Sequence, residues 1–139
     1  FNHFFDYKGM AVSKPNRKEA QEALGYSLRT ADDIQKAGKE LLKRLECGNV
    51  LLTLGEQGMM LFENNGNVSS VPTRARKVSD VSGAGDTTIA MLAAAMAGGA
   101  SVQEAATLSN YAAGIVCEQP GIVTVKPAEV IHAIDIDVE

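Results

Sequence analysis

Apolar positions along the chain recur at two different periods, and the switches between them predict the elements. Residues 10–13 form a short apolar stretch that stops at Lys14-Pro15, as a strand ended by proline would. Asn16 then stands at a helix N-cap position with Glu19 three residues on, which predicts a helix over 17–24 closed by Gly25. Thr30 is placed to cap a second helix, whose Ile34, Ala37, Leu41, Leu42 and Leu45 fall at helical spacing, with Gly48 expected to end it. Residues 49–54 (Asn-Val-Leu-Leu-Thr-Leu) are a continuous apolar run of strand length, the pattern of a strand covered on both faces. Two further strands are predicted over 59–62 and 68–71, around the Asn64-Asn65-Gly66-Asn67 cluster, whose Asn-Gly pair signals a hairpin.

In the second half, a turn over residues 81–86 leads into an Ala-rich helix reaching Ala97 and ended by Gly98-Gly99. It is apolar nearly all round, so burial on most sides is expected. Ser101 and Glu104 form the capping-box pattern of another helix, running to about Val116. Residues 121–125 read as an edge strand, and Pro127 occupies the first position of a last helix ending near Ile134. Buried-strand and helical patterns alternate, which argues for an α/β layered fold. With no internal repeat, low-complexity segment or linker, residues 1–139 read as a single domain.

Composition narrows the function. A net charge of −4 and a pI near 5.2 argue against a dedicated nucleic-acid surface, because neutralising phosphates takes a basic stripe. Cys47 and Cys117 lie in no metal-ligand pattern and read as buried small hydrophobes. The apolar run over 89–97 is far short of the ~20 residues that span a bilayer, and no secretory signal is present, so no membrane partner and a cytoplasmic location are expected. Three aromatics in the first five residues suggest a piece of something longer.

Asp80-Val81-Ser82-Gly83-Ala84-Gly85-Asp86-Thr87 is the segment richest in chemistry. Its glycines allow a close backbone approach to a ligand, and the helix that follows points free N–H groups and a positive dipole end at the turn. The result is an anion hole with a carboxylate, Asp86, placed to take a proton from a hydroxyl. A plain helix start, with Asp86 complementing the dipole, explains the same residues equally well. The segment is no P-loop, since GxxxxGK[ST] is absent, and Thr88 occupies the third glycine position of a dinucleotide fingerprint.

The string resembles the DTxGAGD signature of the ribokinase-like (PfkB) carbohydrate kinases. Three other segments fall in that family's order: Asn16–Glu19 is similar to its Asn-x-x-Glu motif, Thr53-Leu54-Gly55-Glu56-Gln57-Gly58 to its T-x-G-x-x-G nucleotide segment, and Asn110-Tyr111-Ala112-Ala113 to the helix beside the adenine. The resemblance runs from about Tyr7 to Ile134. It implies the C-terminal portion of a layered α/β/α fold with a mostly parallel sheet, acting with ATP and Mg²⁺ on a sugar or sugar phosphate. Asp86 would be the catalytic base, with Gly83, Ala84 and Gly85 offering N–H groups to the migrating phosphoryl. Thr53, Gly55, Gly58 and Asn110 would contact the nucleotide. Asn16 and Glu19 would act through water on Mg²⁺ and the phosphates, although on spacing alone they are an ordinary capping pair. A monovalent cation and a homo-oligomer stay open.

Residues 71–78 and 121–127 look most like heptose-phosphate kinases, which are often fused to a nucleotidyltransferase. Family members bind sugar largely through the N-terminal half and a small lid. The chain alone, read as a fragment, is therefore expected to lack kinase activity. Two other readings stand beside this one: a non-catalytic nucleotide-binding or oligomerisation module on the same scaffold, and a kinase of the same fold for a non-sugar alcohol.

Overall fold

The computed structural model describes residues 3–6, 8–71, 84–118 and 125–138. They fall into two compact units, residues 1–71 and 72–139, which are described in turn.

The first unit packs two helices on a three-stranded sheet. Helix α1 (Arg17–Leu24) starts on a complete capping box: Asn16 accepts from the Glu19 N–H, and Glu19 accepts from the Asn16 N–H. Gly25, at φ 81°, closes it. Helix α2 (Ala31–Leu45) has a capping box of its own, Thr30 with Asp33, and buries Ile34, Ala37, Gly38, Leu41 and Leu45. It ends three residues before Gly48, because Glu46 itself takes the left-handed conformation (φ 50°). Lys8 Nζ holds the Glu46 carboxylate at 2.6 Å.

Strands β1 (Asn49–Thr53), β2 (Met59–Glu63) and β3 (Val68–Val71) form an antiparallel sheet in sequence order, not the mostly parallel pairing expected, because their connections are too short for parallel crossovers. The Asn-Gly hairpin is present: the Gly66 N–H donates to the Glu63 carbonyl, and Gly66 has φ 92°. Val50, Leu51 and Leu52 are fully buried, as expected of a strand covered on both faces. Parallel pairing enters on the other side of β1, where Ser13 bridges Val50 and Asn16 bridges Thr53. This extended segment does not stop at proline. Pro15 has no N–H to give, but its carbonyl accepts from the Thr53 N–H at 3.0 Å, so the pairing continues through it to Asn16.

Phe62, fully buried, anchors the core shared by α2 and the sheet. Glycine in mid-helix costs about 1 kcal/mol relative to alanine. At Gly38 the packing explains it, because a Cβ there would lie 2.3 Å from the Phe62 ring. Cys47 is a buried free thiol beside the Asn49 carbonyl, and burial raises its pKa.

The second unit is helical in the described residues. Helix α3 (Ala84–Ala97) packs mainly against α4 (Val102–Glu118), and α4 packs against α5 (Pro127–Val138). Ser101 and Glu104 form the expected capping box, and Pro127 opens α5. Burial on most sides of α3 does not hold in this chain. Thr88 and Leu92 are buried against its neighbours, whereas Ile89 is 38% exposed and Ala90, Ala93, Ala94 and Ala97 lie open. Residues 121–124 of the expected edge strand lie outside the described residues. Among the described residues no helix is long and apolar enough to cross a membrane.

Candidate functional site

In the first unit, the carboxyl end of β1 brings together five of the residues singled out in the sequence. Open α/β sheets bind ligands at such strand ends. Thr53 is the last residue of β1 and the bridge partner of Asn16. The pairing through Pro15 therefore sets the first turn of α1 beside the strand exit. Two residues further on, the chain bends through a short 3-10 turn, Gly55–Gln57. The Leu54 N–H donates to the Gly58 carbonyl at 2.8 Å, and the Gly58 N–H donates to the Gly55 carbonyl at 3.0 Å.

Gly58, at φ 81° and ψ −137°, occupies a region that side chains with a Cβ avoid. Gly55, at φ 62°, faces open space: nothing lies within 4 Å of where its Cβ would be. Residues 53–58 thus build a backbone bend beside a helix start, with residues 55–57 as its exposed tip.

The capping box uses half of each side chain. Asn16 Oδ1 accepts from the Glu19 N–H at 2.9 Å, and Glu19 Oε2 accepts from the Asn16 N–H at 2.8 Å. Asn16 Nδ2 and Glu19 Oε1 have no partner among the described residues. One free amide donor and one free carboxylate oxygen suit a phosphate oxygen and a hydrated Mg²⁺, which keeps several waters and takes few protein ligands. The capping pair and the ligand pair are therefore compatible.

Arg17, the first residue of α1, donates from Nη2 to Gln57 Oε1 and so ties the helix start to the bend. Sequence reasoning assigned Arg17 no role, and the 40-residue separation left no local signal to find it.

In the second unit, Ala84, Gly85 and Asp86 are the first three residues of α3. They lie in the turn whose N–H groups have no partner within a helix and which carries its positive dipole end. Gly83 lies outside the described residues, as do Asp80 and the basic residues Arg74, Arg76 and Lys77. Asn110 lies in α4 and is 5% exposed, between buried Ser109 and buried Tyr111, so it does not stand on a solvent-facing side of the helix. His3 pairs with Asp6 at the exposed start, and His132 is exposed on α5; neither joins a candidate site.

Comparison with known proteins identifies the family of the chain. The model of the pfkB family carbohydrate kinases matches residues 7–129. The bifunctional protein HldE of Trichlorobacter lovleyi is 43% identical over 131 residues, covering 94% of this chain and 27% of that protein. HldE of Geobacter metallireducens is 44% identical over 130 residues, covering 94% and 26%. The chain thus spans about a quarter of the length of these relatives. Among solved structures, Escherichia coli phosphofructokinase-2 in complex with potassium superposes with a TM-score of 0.86 at 21% identity, covering 97% of this chain and 43% of that one. Arabidopsis thaliana ribokinase complexed with ribose and ATP gives 0.84 at 26% identity, covering 96% and 43%. These likenesses establish the ribokinase-like α/β fold expected from the sequence, and the chain belongs to the pfkB family of carbohydrate kinases.

Proposed function

We propose that this chain carries the nucleotide side of an ATP-dependent kinase that phosphorylates a hydroxyl of a sugar phosphate, of the heptose-phosphate kind. The observation that best supports this reading is the carboxyl end of β1, where the bend over 53–58 and the capped start of α1 lie side by side. A polyphosphate needs N–H donors on an open backbone, and the exposed tip offers the N–H groups of Gly55 and Glu56, which the hydrogen bonds of the bend leave unused, without a basic patch.

In this reading Thr53, Gly55 and Gly58 line the nucleotide, and Asn110 borders its base. The acceptor oxygen attacks the γ-phosphorus, and the bond from that phosphorus to the bridging oxygen breaks. ADP leaves with the electron pair, and the hydroxyl proton passes to the Asp86 carboxylate. The N–H groups of Gly83, Ala84 and Gly85 face the negative charge spread over the transferring group. Asn16 Nδ2 and Glu19 Oε1 would hold Mg²⁺ and phosphate oxygens through water. Bound there, the ion neutralises phosphate charge.

The heptose assignment rests on residues 71–78 and 121–127 and agrees with the likeness to bifunctional HldE proteins. Sugar contacts lie in the half of the family fold that this sequence does not resemble, so the chain alone is proposed not to turn over a sugar.

Calorimetric titration of the 139-residue chain with Mg-ATP and Mg-ADP tests the reading, with Gly85→Asp beside it. Saturable binding, weakened at least about tenfold by the added carboxylate, is the expected result. Absence of binding, or equal binding by the variant, contradicts it.

A further inference from the structure

We propose that Arg17 is a positioning residue for the nucleotide bend: through Gln57 it fixes the loop over residues 55–58 in its binding shape. This role rests on the nucleotide reading of the same site.

Backbone hydrogen bonds close the base of the bend, but no side-chain cap holds its tip. Its 3-10 turn has no side-chain cap, and Gly55, Glu56 and Gln57 are all exposed. Its internal hydrogen bonds are the Leu54 and Gly58 pairs given above and a longer one, Gln57 N–H to the Leu54 carbonyl at 3.3 Å. A side chain bonded to the exposed tip adds a restraint that these backbone bonds do not supply. Among the described residues, Arg17 to Gln57 is the tie that reaches it from α1.

Arg17 is a firm base for such a tie. It follows the N-cap directly, and the capping box fixes the backbone on either side of it. The pose that reaches Gln57 also has a cost: Arg17 Nε is buried with no partner. An orphaned donor is unfavourable, so a guanidinium serving only as surface adhesion would turn Nε toward water or an acceptor. The Gln57 contact dictates the pose instead. Gln57 is neutral, and Arg17 joins no ion pair among the described residues, so no carboxylate at salt-bridge distance occupies the guanidinium there. A cation that both fixes the loop and keeps its charge suits an anionic nucleotide.

The test is a double-mutant cycle on the 139-residue chain with Arg17→Met, Gln57→Met and both together, read as Mg-ADP affinity by calorimetry. Each single variant is expected to weaken binding about fivefold or more. Gln57→Met should cost nothing further in the Arg17→Met background, because the tie is already gone. The melting temperature of Gln57→Met should stay within about 2 °C of wild type. In the ligand-free chains, amide exchange should quicken at residues 54–58 in both single variants and stay unchanged elsewhere in the first unit.

Unchanged affinity in both variants, or additive losses in the double, overturns the positioning role and leaves the nucleotide reading intact. Faster exchange spread over the whole first unit shows a purely structural role and also overturns it. No Mg-ADP binding by the wild-type chain overturns the nucleotide reading and this role with it.

Discussion

The two units solve the same problem with different material. The first builds its core from large side chains, with Phe62 and six leucines among those fully buried, and seats its candidate ligand residues on backbone hydrogen bonds. In the second, Tyr111, Ala112 and Val130 form one small buried cluster, and α3 leaves a row of alanines and Ile89 uncovered. Small residues let helices approach closely but remove little apolar area from water per residue. The difference teaches that local signals and burial are separate contributions. Both units carry complete capping boxes, yet the described residues of the first bury far larger side chains.

The largest effect that can break this comparison is at Phe62. Phe62→Ala should destabilise the first unit by about 3–5 kcal/mol, read by urea unfolding. A loss below 1 kcal/mol would show that the first unit does not depend on that core.

Next is Gly38, where α2 meets the Phe62 ring. Gly38→Ala gains helix propensity and still should lose about 1–3 kcal/mol, because the buried ring cannot retreat. The smaller ring-free side chain of Phe62→Leu, added to Gly38→Ala, should recover part of that loss. No recovery would place the strain elsewhere.

Smaller again are the caps. Thr30→Ala in the first unit and Ser101→Ala in the second should each lose about 1 kcal/mol. Equal losses in thermal melts would confirm that capping is local chemistry, independent of the core behind it.

The smallest effect is a pH dependence. Asp33 accepts from the backbone N–H groups of Thr30 and Arg29, which holds its pKa below the ordinary 3.8. Its folded pKa is depressed, so its contribution is present above about pH 4 and lost as the pH falls through the lower folded value. Melting curves from pH 5 to pH 2 should fall less steeply for Asp33→Asn than for wild type.

Much of the fold was legible because its signals are short in range. Asn16 with Glu19, Ser101 with Glu104 and the Asn-Gly hairpin each lie within a few residues, and each formed as expected. The end of α2 was misread because Glu46, not Gly48, takes the left-handed turn, at a residue type that rarely does. The strand at residues 10–13 was cut at Pro15 because a missing N–H is visible in sequence, whereas a carbonyl aimed at β1 is not. Exposure on α3 was missed because an all-apolar pattern does not say which neighbours are there to cover it.

The candidate site divides the same way. Thr53, Gly55, Gly58, Asn16 and Glu19 were found from motif order, and the structure gathers them at one strand end. The Arg17–Gln57 tie was invisible, since only the folded chain brings those two residues together.

The most direct measurement is amide hydrogen exchange of the 139-residue chain with and without Mg-ADP. The account predicts nucleotide-dependent protection at two separate segments, residues 53–58 after β1 and residues 84–88 at the start of α3, with little change along α2. Protection at neither segment, or protection confined to α2, would contradict the assignment of a nucleotide to this chain.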